Sequence, residues 1–183
     1  HHLRQLQHRI DQLLHLAHAG ADAADEVQRP IVGRRIELFL RATANGDVGA
    51  QRGKVLRHAK IDATAAAIAR DAAGMKVVLG VDRLDYTKGI LQRLDAFRTL
   101  LKTHSGLRGC VTMFQIVIPS REDIPEYKQL KLDIEMSISE INGEYSTPGW
   151  IPIHYFHRSI PRDELLGFYR AAHVALVTPL RDG

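Results

Sequence analysis

The chain has 183 residues, 45% hydrophobic and 25% charged, and a formal net charge of +4 from 25 Lys and Arg against 21 Asp and Glu. That length is about one domain, and the composition is too apolar for a disordered chain. A single cysteine, Cys110, excludes an internal disulfide framework and a cysteine-based zinc site, no apolar run approaches the ~18–20 residues of a membrane span, and so small a positive excess fits an anionic ligand without arguing for nucleic acid.

The chain opens on His1-His2, without an initiator Met or a secretory leader pattern, and ends on Arg181-Asp182-Gly183 directly after an apolar run. It reads as a fragment of a longer protein, and the lone cysteine fits a cytoplasmic one. Composition breaks near residue 75. Residues 1–75 hold 16 of the 20 alanines, six of the ten histidines and only one of the 11 aromatics, Phe39. Aromatics bring the largest buried area per residue, so this segment is expected to be helix-rich and weakly packed alone.

In chain order, Leu3, Leu6, Ile10, Leu13, Leu14 and Ala17 recur at helical spacing, and Gly20 is a helix stop. Residues 20–30 read as a linker. Further helices are expected over Arg34–Ala44, before the turn pair Asn45-Gly46, and over Ala63–Ala73, before Gly74. His8, His15 and His18 read as solvated helix histidines rather than metal ligands. From Lys76 the grammar is clearer. Lys76–Val81 is a short apolar run that suits a buried parallel strand. Ile90, Leu94, Phe97 and Leu101 then mark one helix face. Val111–Ile118 is a second strand, Asp123–Ile141 a helix ended by Asn142-Gly143, and Ile151–Phe156 a third strand. Pro161–Ala172 is a helix with Pro at its start, and His173–Thr178 a fourth strand. Strands alternating with helices predict an α/β, Rossmann-like parallel sheet covered on both faces, over residues 76–183.

In such a sheet ligands bind at the carboxyl ends of the strands. The first strand runs into Asp82-Arg83-Leu84-Asp85-Tyr86-Thr87-Lys88-Gly89, the second into Pro119-Ser120-Arg121, the third towards His157-Arg158, and the fourth into Pro179-Leu180-Arg181-Asp182-Gly183. Basic groups therefore collect on one rim, and Lys88-Gly89 stands at a helix start, where free N–H groups and the helix dipole favour an anion. Arg grips phosphate oxygens two at a time, and Lys adds a compact charge. The sequence lacks a P-loop, a G-x-G-x-x-G after the first strand and a G-x-S-x-G elbow. Asp82 and Asp85 are spaced D-x-x-D, which departs from the D-x-D of aspartate-dependent phosphotransferases.

The stretch Gly80-Val-Asp-Arg-Leu-Asp-Tyr-Thr-Lys-Gly-Ile90 resembles the donor-site motif of glycosyltransferase family 20, the trehalose-6-phosphate synthases. Three further blocks agree in order and spacing: Gln115-Ile-Val-Ile-Pro-Ser-Arg121, Ile141-Asn-Gly-Glu-Tyr145 with Gly149-Trp150 and Pro152, and Leu176-Val-Thr-Pro-Leu-Arg-Asp-Gly183. The resemblance implies a GT-B glycosyltransferase of two Rossmann-like domains, with this chain carrying the first part of the C-terminal, nucleotide-sugar domain. It implies transfer of glucose from UDP-glucose to glucose 6-phosphate with retention, giving trehalose 6-phosphate and UDP, without metal or other cofactor. By the same resemblance Arg83 and Lys88 hold the donor diphosphate, Asp182 and Gly183 approach the donor sugar, and Arg121 contacts the acceptor, with Arg83, Lys88 and Asp182 as the catalytic set. The expected partners are these two substrates, with no nucleic acid and no membrane; a homo-oligomer, and the choice among UDP, GDP and ADP, stay open.

Residues 1–75 depart from the family. They show none of its glycine-rich loop or sugar-phosphate contacts, and read as a divergent or damaged segment. Two alternatives stay open beside the transferase: a non-catalytic or regulatory relative that binds sugar phosphates, and a related transferase with another acceptor. Little or no turnover is expected of the fragment alone.

Overall fold

The computed structural model describes residues 48–181. The helices expected over residues 3–17 and 34–44, the linker at 20–30, the three N-terminal histidines, and Asp182 and Gly183 lie outside the described residues.

The first described element is helix α1, Val48–Asp71. It begins well before the expected Ala63. Gly49 and Gly53 each cost a helix about 1 kcal/mol relative to Ala, and they hide the pattern in its first half. Among the described large apolar side chains of the helix only Ile61 and Ile68 are buried, and Val55 and Leu56 are exposed. Ala73 and Gly74 then take left-handed backbone (φ 47° and 81°), which turns the chain into the sheet.

Strand β1 is Lys76–Arg83, followed by a 3-10 turn at Tyr86–Lys88 and helix α2, Ile90–Thr103. Strand β2 is Val111–Ile118, helix α3 Pro125–Tyr145, strand β3 Ile153–His157, helix α4 Arg162–Ala171, and strand β4 Val174–Ala175. All pairings are parallel, in the order β3-β2-β1-β4. The chain thus moves outward from β1 through β2 to β3, then returns to the other side of β1. The reversal places a switch point, the usual ligand crevice of such sheets, at the carboxyl ends of β1 and β4.

Successive strand residues face opposite layers. Val78, Met113, Val117 and Ile153 pack with Leu94, Phe97, Leu101, Ile134 and Ile141 of α2 and α3. Val77, Leu79, Phe114 and Ile116 pack with Ile68, Ala72, Phe168 and Ala172 on the α1 and α4 side. Packing therefore crosses the compositional break at residue 75. At Gly167 a Cβ would press on the Thr64 side chain, so α1 and α4 meet closely there. Each fully buried Leu, Ile or Phe contributes about 1.5–3 kcal/mol, and with both faces covered the strands read as near-continuous apolar runs.

Three boundaries differ from expectation, two of them for a legible reason. Asn142-Gly143 does not end α3, which continues to Tyr145. Asn142 faces the start of β3 instead: its Nδ2 donates to the Ile153 carbonyl and its Oδ1 accepts from the Ile153 N–H, both at 2.9 Å. The fourth strand is two residues long rather than six. After Leu176 N–H donates to the Leu79 carbonyl at 2.8 Å, the chain leaves the ladder, and Thr178 turns to the carbonyls of Lys88 and Gly89. The third strand likewise starts at Ile153 rather than Ile151.

Candidate functional site

The rim is built around the segment after β1. Leu84 is buried and anchors it, and its N–H donates to the Ile118 carbonyl at the end of β2. Asp85 caps the 3-10 turn: its Oδ1 accepts from the Thr87 N–H at 2.9 Å and from the Thr87 hydroxyl at 2.8 Å. The Thr87 backbone N–H is the main cause holding the Asp85 carboxyl below the usual carboxylate range. Partial burial opposes it, while the Thr87 hydroxyl and the charges of Arg121 and Lys88 assist. The charges of Arg121 and Lys88 thus both act on this one carboxylate.

Lys88 closes the turn and Gly89 begins α2 with φ 61° and ψ 38°. A side chain at Gly89 would run into the Thr178 carbonyl oxygen, so this position needs glycine for both its backbone and its space. No side chain caps α2 and no acidic residue stands in its first turn. Its leading N–H groups and the positive end of its dipole therefore face the rim, where they favour an anion.

Arg83 is the last residue of β1, exposed, and paired in register with Ile118. The pleat puts it on the same strand face as Val77, Leu79 and Val81, the α1 and α4 side, and it makes no side-chain hydrogen bond or ion pair with the described residues. Arg121 is exposed and left-handed (φ 51°), a conformation that costs a non-glycine residue about 1–2 kcal/mol. Its Nη1 donates to the buried Tyr127 hydroxyl at 2.7 Å, and its guanidinium lies 5.5 Å from that ring's centroid. Tyr86 meets the same ring edge-on at 6.0 Å. A cavity of about 380 Å³, lined by Asp85, Tyr86, Leu91, Leu130, Leu180 and Arg181 among others, opens beside the turn. Arg83, Lys88 and Arg121 lie outside its lining.

Four polar residues that sequence reasoning left unassigned a role support this rim. Arg93 of α2 is fully buried and pairs with Asp82 (Nη2 to Oδ2, 2.5 Å). It also donates to Thr178 and Gln115. Asp82 is thus engaged structurally and Asp85 is a cap, which agrees with setting the phosphotransferase spacing aside. The one available signal was a charge at Arg93 on the helix face shared by Ile90, Leu94 and Phe97. Among the described residues no group of three His, Cys, Asp or Glu side chains could hold a metal ion, and no helix is long and apolar enough to cross a membrane.

Parallel strands wound in both directions from β1, with an uncapped helix N-terminus and basic residues at the switch point, define a Rossmann-like α/β domain. The model of glycosyltransferase family 20 matches residues 47–183, and the chain belongs to that family. It is 55% identical over 108 residues to the trehalose-6-phosphate synthase of Mycobacterium leprae, an alignment covering 59% of this chain and 22% of that protein. Among solved structures it resembles the UDP-forming alpha,alpha-trehalose-phosphate synthase of Burkholderia xenovorans in complex with glucose-6-phosphate. The identity is 36% and the TM-score 0.62, over 67% of this chain and 29% of the other. The E. coli trehalose-6-phosphate structure bound with UDP-2-fluoro glucose matches with 32% identity and TM-score 0.62, over 67% and 29% of the two chains. The chain spans about a fifth of the length of the curated relatives it matches.

Proposed function

We propose that this chain supplies the leaving-group side of a retaining glucosyltransferase that moves glucose from UDP-glucose to glucose 6-phosphate. The observation that carries the proposal is the Lys88-Gly89 turn, which aims an uncapped helix N-terminus at the switch point of the sheet. The glucose-6-phosphate and UDP-2-fluoro glucose in the two solved relatives support the choice of substrates.

In this reaction the bond from the sugar C1 to the diphosphate oxygen breaks and a bond from C1 to the acceptor oxygen forms. The acceptor's hydroxyl proton passes to the departing diphosphate on the same face, so configuration is retained without a covalent enzyme nucleophile. Negative charge grows on the diphosphate as the bond breaks. Arg83, Lys88 and the first N–H groups of α2 bind it more tightly as it grows, and that difference lowers the barrier. Two side-chain cations supply this charge in place of a metal. Arg121 serves the acceptor phosphate, and its left-handed backbone is the kind of local strain that a binding role retains. Asp182 and Gly183 take the donor-sugar side.

Calorimetric titration of the 183-residue chain with UDP, UDP-glucose and glucose 6-phosphate tests the assignment. Saturable heat with UDP and UDP-glucose is expected, and weaker or no heat with glucose 6-phosphate. Heat from none of the three removes it.

A further inference from the structure

Arg93 is the only charged side chain among the described residues that is buried, and its partners are not those of a simple structural ion pair. Its Nη2 pairs with Asp82 at the end of β1. Its Nη1 donates to Gln115 Oε1 on β2 at 3.3 Å. Its Nε and Nη2 both reach the Thr178 hydroxyl, at 3.2 and 3.0 Å. Room for the guanidinium is made by Gly80, where a Cβ would collide with both Arg93 and Gln115.

The Thr178 hydroxyl then faces the other way. With both lone pairs directed at Arg93, its single proton is shared between the carbonyls of Lys88 and Gly89, at 3.2 and 3.0 Å. The Leu180 N–H adds a bond to the Thr87 carbonyl at 2.7 Å. The Thr87, Lys88 and Gly89 carbonyls are therefore held from the segment that follows β4, and that segment is held through Thr178 by Arg93.

We propose that Arg93 is a positioning residue for the phosphate-binding turn: through Thr178 it fixes the Lys88 and Gly89 carbonyls and so aims the N–H groups of α2 at the diphosphate. This inference rests on the transferase reading for the identity of the ligand, but not for the existence of the staple. The planar fork matters as much as the charge. A lysine could still neutralise Asp82, but it could not also hold Thr178 and Gln115 in fixed directions.

The test uses the full chain in five forms: wild type, Thr178→Val, Thr178→Ser, Arg93→Lys and the Thr178→Val, Arg93→Lys double variant. The probes are inorganic pyrophosphate and UDP-glucose by calorimetry, amide exchange across residues 86–92, and the thermal midpoint. Thr178→Val keeps the Arg93–Asp82 pair and side-chain shape. It is expected to weaken pyrophosphate and UDP-glucose at least tenfold and to speed exchange at Ile90 and Leu91 tenfold, while β1 and β2 amides keep their protection. Thr178→Ser restores both. Arg93→Lys reproduces the Thr178→Val losses, and the double variant is no worse than either single one, as expected of two groups acting in series. Wild-type exchange and affinity in Thr178→Val overturn the proposal, as do additive losses in the double variant. Should Arg93→Lys fail to fold, Thr178→Val and its Ser rescue decide alone. Wild-type binding of pyrophosphate without UDP-glucose sinks the sugar-transfer reading and leaves the staple supported by its own variants. Wild-type binding of neither probe overturns both.

Discussion

Replacing Gly89 by Ala isolates the geometry on which the site depends. Two costs are expected. The backbone sits at φ 61°, and a left-handed conformation costs an alanine about 1–2 kcal/mol. The new Cβ also meets the Thr178 carbonyl oxygen, a backbone atom that cannot rotate away. Forcing that contact apart resembles overpacking, at roughly 1–3 kcal/mol. The sum is about 2–5 kcal/mol, or a fall of roughly 4–20 °C in midpoint for a chain of this size. Gly74→Ala is the control: its φ is 81° but no atom lies within 4 Å of a Cβ there, so only the backbone cost applies. Thermal unfolding of both variants by circular dichroism gives the difference directly. Relief of the contact by a shift of the turn would leave less destabilisation but weaken UDP binding. Gly89→Ala equal to Gly74→Ala in midpoint and equal to wild type in UDP affinity would falsify the close-approach argument.

Asn142→Ala removes both bonds to the Ile153 backbone and leaves a strand donor and acceptor at the edge of the sheet unsatisfied; a loss of about 2 kcal/mol is expected by urea titration, with m unchanged. His154 and His173 are both shifted down by burial, with Asp71 opposing at His154 and the Lys76 charge assisting at His173. The unfolded chain therefore takes up protons first. The stability they add is fully present above an unfolded pKa of about 6.5 and is lost as pH falls through the lowered folded values. His173 Nδ1 also accepts the Val77 N–H at 3.0 Å, a bond that protonation removes. The midpoint is expected to drop between pH 7 and 5, and His173→Asn to flatten that slope. Lys88→Ala is expected to weaken UDP about tenfold, the loss of one charge-assisted contact, with little change in the midpoint.

Most of the fold was written in period and punctuation. Val111–Ile118 matched to the residue, because an apolar run between Cys110 and Pro119 leaves no competing register. The buried face of α2 followed from Ile90, Leu94, Phe97 and Leu101, because spacing alone sets which residues share a face. What was not legible depends on partners distant in the chain. Asn142-Gly143 carries the local signature of a stop, but Asn142 is satisfied by Ile153 across the α3–β3 junction, and the helix runs on. The short β4 follows from Thr178, whose hydroxyl serves carbonyls some 90 positions earlier in the chain. Nothing in the sequence beyond its helix face marks Arg93 for burial, because its partners Asp82, Gln115 and Thr178 and the space left by Gly80 come together only in the fold. For the site itself, the rim and the Lys88-Gly89 helix start were visible in the motif. The capping role of Asp85, the left-handed backbone of Arg121 and its bond to Tyr127 were not, since each needs the folded turn.

The proposed function seats an anionic diphosphate on the first turn of α2. Adding UDP to isotopically labelled chain and following backbone amide resonances tests it most directly. The largest shifts are expected at Gly89, Ile90 and Leu91, saturating together with one affinity that weakens about tenfold in Lys88→Ala. Saturable binding whose shifts cluster at the opposite end of the sheet, around Lys76 and Val111, would contradict the account.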